Sequence, residues 1–326
     1  MVKPKLAVGY GGICGGCDVS LINAISERLA ELLEAYDIIY WPIAVDSKNR
    51  DVEAADSIDI SIYMGMVRTD EHLRLVKLLR EKSKLMVLYG ACAIYGGIPG
   101  LGIIYEPHQL MEIVNSTVTT EKNENRIEGF ELPSLLTTNE VVSTYFMKIA
   151  KPNIVVPGCP PSDELNSRLL HILFKYIDEK TVPEETIILA DNESLCRNCP
   201  RKPREPDKIV MSRIYRLSDI ALEEGKCFLE QGVICMGPAT RAGCEYSCIK
   251  NNLPCVGCMG PAPGVSDFGL KMLSSIASIA LIDKEKILLE KGLAKELDKI
   301  IDPLGTFYRY TLPSSSIARF LLRKNR

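Results

Sequence analysis

Residues 5–17 read Lys-Leu-Ala-Val-Gly-Tyr-Gly-Gly-Ile-Cys-Gly-Gly-Cys, and this stretch decides the fold. A short apolar run, Lys5–Tyr10, ends in a glycine pair and opens directly onto a C-x-x-C pair. The same grammar recurs twice: Leu85–Tyr89 (LMVLY) precedes Gly90-Ala91-Cys92, and Asn153–Val156 (NIVV) precedes Pro157-Gly158-Cys159. Apolar, β-branched runs of this length read as buried strands. Asp37–Val45 and Ile58–Met64 are two further strand candidates. Between them lie helical patterns: the stripe Leu21, Ile22, Ile25, Leu29, Leu32, Leu33, Tyr36 over Ser20–Tyr36; a start at Thr69 with Asp70 and Glu71, continued by Leu75, Leu78 and Leu79; and a helix opened by Pro161-Ser162-Asp163-Glu164 and running to about Ile177. Strand and helix alternate, so the sequence predicts an α/β fold with a parallel sheet covered by helices. Each cysteine motif then falls just past the carboxyl end of a strand, the edge along which open α/β sheets place their ligand sites. Cys14, Cys17, Cys92 and Cys159 are expected to converge there.

The chain has 326 residues, Lys+Arg 39 against Asp+Glu 42, and 46% hydrophobic residues. The slight acidic balance argues against a generic nucleic-acid binder. No apolar run reaches the 18 residues of a membrane span; the longest candidate, Met272–Ile282, is short and broken by serines. The first residues show no secretory h-region or twin arginine, which predicts a cytoplasmic protein. Twelve cysteines in such a compartment suggest metal ligation or redox work in place of disulfides. Cys14/Cys17, Cys196/Cys199 and Cys255/Cys258 have C-x-x-C spacing, and Cys92, Cys159, Cys227, Cys235, Cys244 and Cys248 complete three sets of four. The three histidines, His72, His108 and His171, form no cluster.

Composition changes near residue 180, where charge and proline rise, and eight of the twelve cysteines fall between 196 and 258. This places a boundary between a sheet domain, residues 1–180, and a smaller cysteine-rich, loop-and-helix domain, residues 181–326. Helices are expected at about Arg213–Gln231, Ser266–Leu281 and Lys284–Ile301. Several simpler readings compete. Four thiolates can hold structural zinc, although zinc sites usually come as two close pairs, whereas Cys14, Cys17, Cys92 and Cys159 are one pair and two distant singles. A G-x-G-x-x-G phosphate loop would need glycine where Cys14 stands. A thioredoxin-like C-x-x-C would leave ten cysteines unexplained. Asp18 reads as a helix N-terminal acid, and His171 as packed or solvated.

The motifs C-G-G-C-D at 14–18, G-A-C at 90–92, P-G-C-P-P at 157–161 and CMGPATRAGCEYSCIKNNLPCVGCMGP at 235–261 resemble the small, electron-transferring subunit of [NiFe] hydrogenases, most closely the cytoplasmic methyl-viologen-reducing, deazaflavin-non-reducing type. WPIAVD at 41–46, GGIPGL at 96–101 and IIDPLGTFYRYTLPSSS at 300–316 extend the likeness over nearly the whole chain. The resemblance implies a flavodoxin-like first domain with a proximal [4Fe–4S] cluster on Cys14, Cys17, Cys92 and Cys159. It implies a medial [4Fe–4S] cluster on Cys244, Cys248, Cys255 and Cys258, and a distal one on Cys196, Cys199, Cys227 and Cys235. Spacing alone permits Cys227 through Cys248 to be divided differently. Two departures are visible: periplasmic relatives carry histidine where Cys196 stands, and cytoplasmic relatives often carry Glu where Asp18 stands. The implied partners are a [NiFe]-bearing large subunit, covering an apolar surface around residues 10–20 and 90–101, and a [2Fe–2S] subunit feeding a heterodisulfide reductase complex. No catalytic residue is expected in this chain. Two alternatives remain open at this point: the small subunit of an NADP-linked sulfhydrogenase, and a zinc-stabilised interaction module without redox function.

Overall fold

The computed structural model describes residues 3–119, 133–143, 149–205, 209–211, 213–280, 296 and 298–324. Six strands, β1 Lys5–Tyr10, β2 Asp37–Tyr40, β3 Ile58–Met64, β4 Ser83–Tyr89, β5 Ile154–Val156 and β6 Ile187–Ile188, form one sheet in the order β2-β1-β3-β4-β5-β6. Every pairing is parallel. The order 2-1-3-4-5 is that of flavodoxin-like doubly wound sheets, whose ligand crevice lies where β1 and β3 diverge. β3 and β4 read as near-continuous apolar runs because both of their faces are covered.

Alternate residues feed two cores. Leu6, Val8, Ile60, Ile62, Leu85, Val87, Ile154 and Val156 pack with Leu21, Leu32, Leu165 and Leu169 from the helices Gly16–Ile25, Leu29–Ala35 and Asp163–Glu179. On the opposite face Ala7, Tyr63, Met86, Leu88 and Val155 pack with Leu75, Val76 and Leu79 of the helix Asp70–Lys82. Thr69 caps that helix, its Oγ1 accepting from the His72 N–H at 3.2 Å. This second core continues without a break into Met211, Phe228, Val233, Met236 and Met272 of the cysteine-rich half. The sheet itself extends past residue 180 through β6.

Three expected elements differ. The stripe over 20–36 does not form one helix: a 3₁₀ turn, Ser26–Arg28, separates two shorter ones, and of the second only Leu32 is buried. β2 stops at Tyr40, because Pro42 has no N–H to give and the Trp41 N–H goes to Ser47 Oγ at 3.0 Å. No long helix forms over 213–231, only 3₁₀ turns at Leu217–Asp219 and Leu229–Gln231. There the Glu223 and Lys226 carbonyls accept from the Arg201 guanidinium, at 3.2 and 2.9 Å. The helix expected over Ser266–Leu281 is present as Phe268–Ala280, whereas Lys284–Ile301 falls mostly outside the described residues. The C-terminal segment folds back over the sheet edge: the Gly97 N–H donates to the Tyr310 carbonyl at 3.0 Å.

Candidate functional site

The proximal set is assembled by three sheet-edge loops. β1 runs into Gly11-Gly12, which zip to the loop after β3: Gly11 N–H to Met64 O at 2.8 Å, Gly12 N–H to Met66 O at 2.7 Å, and Met66 N–H back to Gly12 O at 3.0 Å. This fixes the chain that delivers Cys14 and then Cys17, the latter buried in the first turn of its helix. β4 delivers Cys92 and β5 delivers Cys159. Gly90 has φ +89°, and a Cβ there would sit 2.5 Å from Cys17 Sγ, so the backbone is drawn against the sulfur as only glycine permits.

The electrostatics show the convergence. Cys17 is pushed up by burial and by Cys92, Cys159 and Cys14. Cys92 is pushed up to about 11 by burial, Cys159 and Cys14, with the Ile98 N–H pulling it back. Cys159 is raised by burial and Cys14 and lowered by a hydrogen bond from the Tyr310 hydroxyl. Every pair of the four thus interacts. Crowded and buried, Cys17, Cys92 and Cys159 resist ionisation on their own; bound iron would deprotonate them outright.

A second set behaves alike. Cys196 is pushed up by burial and by Cys235, Cys199 and Cys227. Cys235 is pushed up to about 11 by burial, countered by the Gly237 and Cys255 N–H groups, and feels Cys227 and Cys199. Cys227 is raised by burial and in part by Cys199. A Cβ on Gly237 would lie 2.9 Å from Cys196 Sγ. Arg201, buried over the Phe228 ring at 4.5 Å, ties residues 223–226 to Asn252; burial raises Cys199, and Arg201 only partly offsets that rise.

The third set lines a cavity of about 310 Å³ containing Cys244, Cys248, Cys255 and Cys258. Cys258 is pushed up to about 12 by burial, Cys244, Cys159 and Cys248. Cys255 is raised by burial, Cys235 and Cys258. The three sets adjoin: Cys159 lines the same cavity as Cys258, and the Cys255 N–H donates to Cys235 Sγ at 3.3 Å. The run of contact is therefore from the first set, through the cavity, to the set containing Cys235.

The donor chemistry fits iron–sulfur cubes. Each set offers four thiols, none in a disulfide, which is the donor set of a [4Fe–4S] cube.

Residues outside the cysteines contribute. Asp18 is 3% exposed and accepts from Tyr10 Oη at 2.6 Å and Trp41 Nε1 at 3.2 Å, so this helix N-terminal acid also ties two sheet-edge loops together. His108 and His171 are exposed, and the His72 Nδ1 accepts from the Arg68 N–H at 3.3 Å. Sequence spacing offers no sign of Arg201 or Tyr310. Thr240, whose Oγ1 lies 3.5 Å from Cys255 Sγ, does stand inside the cysteine run.

Residues 14–173 match the family model described as NADH ubiquinone oxidoreductase, 20 Kd subunit. That match, on a flavodoxin-like sheet whose edge gathers thiols, makes the first half of the chain similar to an oxidoreductase subunit. The chain is 33% identical over 322 residues to the F420-non-reducing hydrogenase G subunit of Methanothermobacter marburgensis, covering 97% of this chain and 96% of that one. It is 31% identical to the corresponding F420-non-reducing hydrogenase iron–sulfur subunit of Archaeoglobus profundus, covering 98% and 99%. The fold is that of the Dm. baculatum [NiFeSe]-hydrogenase chain, with TM-score 0.51 and 20% identity, covering 80% of this chain and 95% of that one. The chain belongs to the family of F420-non-reducing hydrogenase G subunits, hydrogenase small subunits that carry iron–sulfur clusters and pair with a large subunit. Among the described residues no helix is long and apolar enough to cross a membrane.

Proposed function

We propose that this chain conducts electrons released from dihydrogen in a [NiFe]-bearing large subunit through three [4Fe–4S] clusters. Cys14, Cys17, Cys92 and Cys159 would hold the proximal cluster. Cys244, Cys248, Cys255 and Cys258 would hold the medial one, and Cys196, Cys199, Cys227 and Cys235 the distal one. When bound, such clusters supply one-electron redox chemistry at potentials set by burial and by hydrogen bonds to sulfur. The chain's own residues ligate, exclude water and orient N–H groups; the bond-making step lies in the partner. The all-thiolate ligand sets favour the low potentials that dihydrogen oxidation needs.

The observation that carries this reading is the contact order of the thiols: Cys159 of the proximal set lines the cavity of the medial set, and the Cys255 N–H of that cavity donates to Cys235 Sγ of the distal set. Around the proximal set, Val19, Ile22, Ile98 and Ile104 are exposed apolar residues suited to burial under the large subunit. Continuing outward, the electrons would pass to a [2Fe–2S] subunit and a heterodisulfide reductase complex, in the cytoplasm. The division of the chain into residues 1–180 and 181–326 follows the same logic, one cluster in the first part and two in the second.

Anaerobic purification with iron and acid-labile sulfide counts tests the reading. About twelve of each per chain are expected for three cubes, with a hydrogenase large subunit and a [2Fe–2S] protein co-purifying. A colourless preparation loaded with zinc overturns it.

A further inference from the structure

The cavity lined by Cys244, Cys248, Cys255 and Cys258 is also lined by Ser162, which enters it from the sheet domain. Ser162 is the N-cap of the helix Asp163–Glu179, a position where a serine hydroxyl ordinarily accepts from the helix's own N–H groups. Here it makes no such bond. Its carbonyl accepts from the Asn166 N–H at 2.9 Å, so the helix start is secured by backbone alone. Ser162 Oγ is buried and has no hydrogen-bond partner among the described residues.

The serine and threonine hydroxyls beside it in this wall are committed. Ser247 Oγ donates to the Cys244 carbonyl at 2.9 Å, and Thr240 Oγ1 donates to the Met236 carbonyl at 2.6 Å. Thr240 therefore offers only a lone pair toward Cys255. A buried hydroxyl rarely goes unpaired in a native protein, and its absence of a partner calls for a group not made of protein. The cavity supplies the place, and sulfur carrying negative charge supplies the acceptor.

We propose that the Ser162 hydroxyl donates a hydrogen bond to sulfur of the medial cluster and raises that cluster's reduction potential above what its four cysteines alone would give. This rests on the cluster assignment above. Reduction adds one electron to the cluster, and a donated hydrogen bond stabilises the more negative, reduced form. Because Ser162 stands three residues after Cys159, one loop then serves both clusters: it ligates the proximal one and tunes the medial one. A gradient along the relay would be set by the sheet domain, across the contact between the two halves.

The test uses the complete hydrogenase complex, purified anaerobically, in wild type, Ser162→Ala and Ser162→Thr forms. Each is titrated reductively and followed by electron paramagnetic resonance, with iron counted in parallel. Ser162→Ala should keep about twelve irons per chain and move one midpoint, and only one, to lower potential. The reduced-to-oxidised ratio of that cluster at fixed potential should fall about tenfold, which is ~59 mV for a one-electron couple. Ser162→Thr, which keeps a hydroxyl, should restore the wild-type midpoint. Unchanged midpoints in Ser162→Ala at full iron overturn the inference, as does a shift that persists in Ser162→Thr. Loss of iron in Ser162→Ala also overturns it, since the hydroxyl would then be needed for assembly. Too little iron in the wild type overturns the cluster assignment itself, a result distinct from the other three.

Discussion

The Cys255 N–H lies 3.3 Å from Cys235 Sγ, so a residue of the cavity set donates directly to a sulfur of its neighbour. Cys235 is also nearly fully buried, at 6% exposed. Its loss should therefore empty the distal site. Cys235→Ala is expected to lower the iron count by about four per chain and to remove one reduced-cluster signal, leaving the proximal signal in place. Loss of all iron, or of none, would show that the sets are divided otherwise.

Gly90→Ala places a methyl group 2.5 Å from Cys17 Sγ at a backbone φ of +89°. Holding a side chain in that region costs about 1–3 kcal/mol before the clash is counted. Both effects act on the loop between β4 and Cys92. The expected outcome is a lower melting temperature together with about eight irons per chain where wild type holds about twelve. A variant with normal iron and normal melting would remove the argument from close approach.

Arg201→Met takes away the donors that hold the Glu223 and Lys226 carbonyls and the Asn252 side chain, and its stacking on Phe228. Both carbonyls keep the Gln231 amide as donor, at 3.4 and 2.9 Å, but the Asn252 side chain loses its charged donor and a cation–π contact is lost. The cost is about 2 kcal/mol, read as a lower midpoint in denaturant unfolding of the apoprotein. Arg201→Lys keeps the charge without the planar fork and should recover only part of it.

Asp267 gives the acid limb of stability. Burial alone would raise its carboxyl, but hydrogen bonds from the Leu270 N–H at 2.9 Å and the Ser316 N–H at 2.7 Å prevail and hold it below the ordinary carboxylate value. The folded value thus lies under the unfolded one. Its contribution is fully present above the unfolded value, near pH ~4, and is lost as pH falls through the folded value. Thermal melts from neutral to strongly acidic pH should show this slope, and Asp267→Asn should flatten it while lowering stability at neutral pH. An unchanged acid slope in the variant would mean that other carboxylates carry it.

Much of the sheet was legible in sequence because its strands are buried on both faces. Ile58–Met64 has the bounds that its apolar run suggests, and Thr69 with Asp70 and Glu71 marks the start of the helix Asp70–Lys82. The gathering of Cys14, Cys17, Cys92 and Cys159 followed from the same logic, since all three loops leave one edge. What pattern could not show was the part governed by non-local side chains. The residues from Arg213 to Gln231 look helical until Arg201 claims their neighbouring carbonyls. Likewise β2 is cut short by a serine six residues on from Trp41. Ser162 reads as an ordinary cap, and only the environment of its hydroxyl sets it apart.

The bond from the Gly97 N–H to the Tyr310 carbonyl has a consequence for biosynthesis. The loop that carries Cys92 is made long before its backbone partner Tyr310. Because non-local partners must wait for the intervening chain, that loop stays unlatched until residue 310 has been made. Any group delivered to the first four thiols would have its widest access before that latch closes.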